Sequence, residues 1–343
     1  MSNPLLEAHP LPPFSRIEPG HAEPAIRQLI VRNKQAVEQL LKANDTYSWE
    51  NLLAPLEQLD DELAQAFSPI SHMNSVTNSE AMREAYNACL PLLSEYGTWT
   101  GQHERLCQAY QQIAESEEFG ALDDARRKTI ENALRDFRLA GVSLPPAQKA
   151  RYAELRKRLS ELGSQFGENV LDATNAWSRR ASREELSGLP ETALSSAREA
   201  ARKAGYDDYL INLEFPSYSP VLLYCENREL REEVYTANCT RASDQGPSAG
   251  KWDNAAIIEE TLTLRLELAG LLGFANYSEL SLATKMAEST DQVMGFLEQL
   301  ADQARPQAQR EWEELQAFAG EEHGVTSIEA WDVSFYSEKL RQS

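Results

Sequence analysis

Gly246-Pro247-Ser248-Ala249-Gly250 has the Gly-x-Ser-x-Gly lettering of a nucleophile elbow. In an elbow a strand delivers the serine onto a strained turn that a helix follows at once. Thr240 to Gln245 is polar and has no strand character, and the downstream histidine, His323, lies in a hydrophilic context. A serine hydrolase using Ser248 is therefore the weakest of three functional readings, set against a simple Gly/Pro/Ser loop. The same loop runs into Gly250-Lys251, but three residues separate Gly246 from Gly250. A phosphate loop needs four there and a Ser or Thr after the lysine, where Trp252 stands.

Metal chemistry is no better supported locally. A helical metallopeptidase supplies two zinc ligands from His-Glu-x-x-His on one helical face. The histidines are His9, His21, His72, His103 and His323, and no two are four apart. Each reads as a surface or hydrogen-bonded residue. Acid pairs such as Asp60-Asp61, Glu117-Glu118 and Glu321-Glu322 read as solvated helix faces rather than acid/base dyads. No catalytic residue and no metal ligand is assigned in this chain. Arg241 and Asp244 are the substrate-facing candidates, since the Thr240–Trp252 loop offers charges of both signs to peptide termini.

The elements that must position these residues are mainly helical. Ala147 to Trp177 is the longest uninterrupted helical signal. Tyr152, Leu155, Leu159, Leu162, Phe166, Val170, Ala173 and Trp177 recur at steps of three and four along one seam. Pro145 and Pro146 stand at its start, where a missing N–H costs nothing. Residues 1–20 are a proline-rich irregular arm expected to lie over a neighbouring lobe. Apolar stripes then predict helices near 26–41, from a Ser48 cap to Phe67, from a Ser79 cap through Leu93, over 99–113, and up to Gly141. Ser68-Pro69-Ile70 is expected to break the second of these.

Beyond Trp177 the pattern changes. A helix is expected over 191–203. Tyr209 to Phe215 reads as a strand stopped by Pro216, with 177–181 as its partner. Helices follow over 220–225, 228–238 and 257–272. Another from Val293 to Phe318 is expected to break or kink near Pro306. Trp331 to Tyr336 alternates as a strand does, and the chain stops seven residues later, which reads as a cut.

The totals narrow the class. Asp and Glu number 54 against 33 Lys and Arg, a net charge of −21, so phosphate backbones and anionic lipid are repelled. That excludes nucleic acid and membrane as expected partners. The four cysteines, Cys89, Cys107, Cys225 and Cys239, lack disulfide or zinc spacing and read as free thiols packed as small apolar groups. With no signal peptide visible, a cytoplasmic location is expected. At 343 residues, two lobes are expected: 1–178 as an N-terminal helical domain, and 179–343 as a second helical region with short strands, truncated at its C-terminal end.

Taken together, the local phrases carry a resemblance. Asn3-Pro4-Leu5-Leu6, Leu11-Pro12-Pro13-Phe14 and Phe67-Ser68-Pro69-Ile70-Ser71-His72-Met73-Asn74-Ser75-Val76 resemble the thimet oligopeptidase family of zinc metallopeptidases. So do Asn132 to Phe137, Asn169 to Thr174, Pro216-Ser217-Tyr218, Thr240 to Gly246, Leu271 to Phe274 with Asn276-Tyr277, Lys285-Met286-Ala287, and Trp331-Asp332 with Tyr336 to Lys339. They run in order over nearly the full length. The resemblance implies a mainly α, two-lobed enzyme split by a deep channel that admits short peptides. It also implies that zinc polarises the scissile carbonyl and a bound water while a glutamate acts as base. The family's His-Glu-x-x-His helix and its remaining catalytic residues belong to a C-terminal catalytic half, so none is carried onto this chain.

The expected function is the N-terminal, non-catalytic portion of a cytoplasmic zinc oligopeptidase, forming channel wall, binding no zinc and inactive alone. The alternative from another class is a noncatalytic helical scaffold that binds peptides or a partner protein.

Overall fold

The computed structural model describes residues 3–77 and 79–343; residues 1 and 2 of the expected arm lie outside them. It is mainly α, with fourteen α-helices among the described residues. They are α1 (Pro19–Ala43), α2 (Ala54–Val76), α3 (Glu80–Gly101), α4 (Glu104–Ala114), α5 (Glu117–Ala121), α6 (Asp124–Leu139) and α7 (Pro146–Ala176). Then come α8 (Glu191–Lys203), α9 (Phe215–Tyr224), α10 (Arg228–Cys239), α11 (Ala255–Leu271), α12 (Tyr277–Leu282), α13 (Thr290–His323) and α14 (Ala330–Gln342). The strands are β1 (Ser178–Ala181) and β2 (Tyr209–Asn212), an antiparallel pair in which Ser178 faces Asn212 and Ala181 faces Tyr209.

Residues group into two compact units, one of residues up to 164 with 263–280, the other of 165–262 with 281–343. In the first, Ile26, Leu29 and Ile30 of α1 pack with Leu63, Ala66 and Ile70 of α2 and with Met82 and Cys89 of α3. Asn33, wholly buried on α1, donates from Nδ2 to the Leu59 carbonyl at 3.0 Å, so its amide is satisfied by the neighbouring helix. A second core gathers Val37, Leu41, Leu52, Leu53, Leu106, Ile113, Ile130 and Phe137. Tyr152 and Leu155 of α7 pack with Leu268 of α11, and Arg151 forks onto Glu267 at 2.7 and 2.9 Å.

In the second unit the β1–β2 pair lies with α8, α9 and α10 around Leu186, Leu194, Ile211, Val221, Leu230 and Val234. Leu315 and Ala319 of α13 pack with Phe335 and Tyr336 of α14.

Most local expectations hold. α7 and α8 stand where the stripes place them; Ser48 and Ser79 accept from the Asn51 and Met82 amides as caps. Six readings need correction. Pro69 does not break α2: it is buried inside the helix beside Ile70, and that packing offsets the roughly 3 kcal/mol cost of an interior proline. Of the break or kink expected near Pro306, the break does not occur, since α13 runs on through it. β2 ends at Asn212, and Pro216 opens α9 rather than stopping a strand, because a first-turn proline gives up no helical bond. Trp331 to Tyr336 is helical: Asp332, Phe335 and Tyr336 are the buried positions, a step of three and then one, which is helical and not alternating. The arm packs on α1 and α2 of its own unit through Leu5 and Ile17. Cys239 is exposed, whereas Cys89, Cys107 and Cys225 are buried.

Gly188 shows how tightly the second unit closes. Its φ is +90°, and a Cβ there would stand 2.2 Å from the Tyr224 carbonyl oxygen. Gly188→Ala is expected to lower stability by about 2–3 kcal/mol. Gly205→Ala, also left-handed at φ +82° but in open space, should cost nearer 1 kcal/mol. Urea unfolding midpoints of the two variants check the order.

Candidate functional site

Residues 240–252 form a run of turns between α10 and α11 with neither strand nor helix. Ala242 is left-handed at φ 52° and its carbonyl accepts from the Asn254 amide at 3.0 Å, while the Ser243 carbonyl accepts from the Gly250 amide at 3.0 Å. Asn254, buried, donates to the Phe166 carbonyl at 3.2 Å and accepts from Asn169 Nδ2 at 2.8 Å. The loop is therefore pinned to the C-terminal part of α7.

Arg241 is half-buried and engaged: Nε donates to the Asn238 carbonyl at 2.9 Å and a terminal nitrogen donates to Thr174 Oγ1 at 2.9 Å. It satisfies a carbonyl at the end of α10 that the helix itself leaves without a partner. Asp244 is exposed. Ser248 borders a narrow crevice with Ala173, Trp177, Leu213, Thr240 and Pro247 that has no room for a water molecule. Gly246 has φ +75°, and a Cβ there would meet Thr240 Oγ1 at 1.9 Å. Its glycine thus serves a tight turn against Thr240, not a strand-to-helix elbow. Among the described residues no base is placed on Ser248.

The histidines have local roles. His21 Nδ1 accepts from the Glu18 amide, closing a capping box, and His103 Nδ1 accepts from the Leu106 amide while Nε2 meets Glu38 at 2.9 Å. His323 packs edge-on to Phe318 and against Tyr336, and His72 lies beside Phe14. Among the described residues, no group of three or more His, Cys, Asp or Glu side chains is placed to hold a metal ion.

The buried charged residues among those described are Arg231 and Asp332, neither of which the sequence reading singles out. Asp332, fully buried on α14, receives Arg231 at 2.8 Å and Arg228 at 2.6 Å from α10, and also the Glu329 amide at 3.1 Å. Arg231, 1% exposed, also donates to the Cys225 carbonyl at 2.7 Å and stacks 4.0 Å over the Phe335 ring. Burial pushes the Asp332 carboxyl up, but the two guanidiniums and the amide outweigh it and hold the group below the usual carboxylate range. Every acceptor position is thereby used, so the cluster locks α14 to α10 and has no proton to exchange at neutral pH. Two signals pointed to it: Glu329-x-x-Asp332 at capping-box spacing, and Arg228 with Arg231 one turn apart.

Residues 26–149 match the model "Neurolysin/Thimet oligopeptidase, N-terminal domain", and residues 221–343 match "Peptidase family M3". Over all 343 residues the chain is 54% identical to "Oligopeptidase A" of Haemophilus influenzae, covering 50% of that protein. In its matched segments the chain is similar to peptidase family M3. It is also 52% identical to "Oligopeptidase A" of Salmonella typhimurium over 100% of this chain and 50% of the other. A "Probable cytosolic oligopeptidase A" of Arabidopsis thaliana is 36% identical over 352 residues, 49% of its length. The chain spans about half the length of the curated relatives it matches. Arg228, Arg231 and Asp332 all fall inside the M3 match.

Removing Asp332 from this M3 segment leaves Arg231 buried and unpaired. Asp332→Ala is expected to destabilise the second unit by about 3–5 kcal/mol, and an all-apolar replacement of the three charges by much less. Because folding lowers the Asp332 pKa, its contribution is complete above the ordinary value of 3.8 and is lost as pH falls through the lower folded value. Urea titrations between pH 7 and pH 2 should show this acid-side loss in the native chain and a smaller one in Asp332→Asn, where other ion-paired carboxylates such as Glu185 and Asp208 remain. In the loop, Arg241→Ala should cost about 1–3 kcal/mol through its lost charged hydrogen bonds. Ser248→Ala should change stability by less than about 0.5 kcal/mol, both read from the same midpoints.

Proposed function

We propose that this chain is the N-terminal, non-catalytic portion of a zinc-dependent, cytoplasmic oligopeptidase that hydrolyses short peptides. The observation that carries the reading is identity of 54% sustained over the whole chain to a protein named oligopeptidase A, of which the chain spans half. In this reading its helices supply channel wall that admits extended peptides and excludes folded proteins by width. The C-terminal catalytic half of the same polypeptide is its principal partner. Arg241 and Asp244 are proposed contacts for peptide termini. Asp244 is the more available of the two, because Arg241 already bonds Thr174 and the Asn238 carbonyl.

Zinc does not fit the side-chain arrangement of this chain, since the described residues bring no three candidate donors together. In this reading the metal belongs to the other half of the longer polypeptide. The cytoplasmic setting is consistent with the absence, among the described residues, of any helix long and apolar enough to cross a membrane.

The test uses this chain and the polypeptide extended to the full length of oligopeptidase A. The extended protein is expected to cleave peptides of about ten residues, to lose that activity to a chelator and to regain it with zinc. The 343-residue chain should show no turnover and less than about one zinc per ten molecules by elemental analysis. Turnover by the short chain that survives chelation would overturn the reading, and its loss on Ser248→Ala would move the chemistry to that serine.

A further inference from the structure

The apolar stripe of α13 continues past its covered end. At its C-terminal end Leu315 and Ala319 are buried against α14. Toward the N-terminus the same 3–4 spacing runs back through Ala308, Ala304, Leu300, Leu297 and Val293. There the side chains are bare: Phe296 is 59% exposed, Leu297 51%, Leu300 46% and Met294 54%. Residues 294–314 are exposed without a break, about 30 Å of helix at 1.5 Å per residue. Contiguous apolar surface on that scale is rare where nothing docks on it.

Two observations say what covers it. α13 carries eight carboxylates against two arginines, on a chain of net charge −21. A second copy laid on this face would set like charge against like, which costs several kcal/mol of mismatch across an interface. Glu311 lies on the stripe itself and accepts from Gln307 Nε2 at 2.8 Å. Covering it requires a cation from the partner. The relatives, in turn, run to twice the length of this chain, so a second half of comparable size is available in the same polypeptide.

We infer that the bare stripe of α13, from Val293 to Trp312, is the seat of a helix from the remaining half of the longer oligopeptidase polypeptide. That helix brings apolar residues to Phe296, Leu297 and Leu300 and a Lys or Arg to Glu311. The inference rests on the reading that this chain is one half of such an enzyme, and it extends that reading by naming the docking face.

The experiment compares the 343-residue chain with the polypeptide extended to full oligopeptidase A length. Both carry Cys239→Ser to silence the exposed thiol. Leu297→Cys reports on the stripe and Gln299→Cys on the opposite side of the helix. Maleimide labelling at Leu297→Cys should be at least ten-fold slower in the extended protein, with Gln299→Cys changed less than two-fold. Hydrogen exchange over 290–314 in the unsubstituted proteins gives the same comparison if a cysteine variant fails to fold, with protection expected only in the extended protein. Light scattering should find the short chain monomeric. Equal labelling or exchange in the two lengths overturns the inference, as does a dimer of the short chain that protects Leu297→Cys. The readouts separate from the functional reading: an extended protein that cleaves peptides with Leu297→Cys still reactive defeats only the docking face. A protected stripe without turnover defeats only the proposed activity.

Discussion

An amphipathic helix satisfies its own backbone but leaves one stripe of apolar side chains that must be covered, and nearly everything in this fold answers to that constraint. The only sheet among the described residues has four residues a side, so backbone pairing between distant segments contributes little. Order comes from stripes laid on stripes: α1 with α2 and α3, α4 with α6, α14 with α9 and α10. The same constraint explains the prolines. Pro69 is carried inside α2 because the positions around it, Ala66 and Ile70, face a core that a broken helix would vacate.

The Arg228–Arg231–Asp332 cluster is a different kind of fastening. A carboxylate with no exposed surface must be met by donors on every side, and here they come from residues about a hundred positions earlier in the chain. Such a cluster adds less net stability than an apolar contact of the same size, but it tolerates one arrangement only. It ties α14 to α10 at defined atoms, beside the apolar contacts of Phe335 and Tyr336. The loop at 240–252 is fastened with less charge, through Arg241, Asn254 and main-chain bonds at Ala242 and Ser243. Its one exposed acidic candidate, Asp244, is held on a defined frame.

The division of labour in the proposed enzyme follows from these features. Every histidine with a described partner is spent on a cap, an ion pair or an aromatic contact. The serine of the elbow-like phrase sits on a turn that no strand feeds. The surface these helices present is acidic, and on α13 the apolar stripe continues beyond the residues that α14 covers.

Sequence by itself determined the mainly helical class, the α7 rod and its proline start, the α8 span, the Ser48 and Ser79 caps and the β1–β2 pairing. Each is written in local spacing or in a single side chain's reach along the backbone. The family was legible too, because in-order phrases survive without any knowledge of packing. Tertiary structure decided the rest. Whether Pro69 ends a helix depends on what lies against Ile70, and Trp331-Asp332-Val333-Ser334-Phe335-Tyr336 alternates in hydrophobicity yet coils, because burial at 332, 335 and 336 and the Glu329 cap select the helix. Asp332 is one of 54 acidic residues in the sequence, and only the fold brings two arginines of α10 to it. A charge's meaning is set by its neighbours in space, and a residue's spacing along the chain records only those within a turn or two.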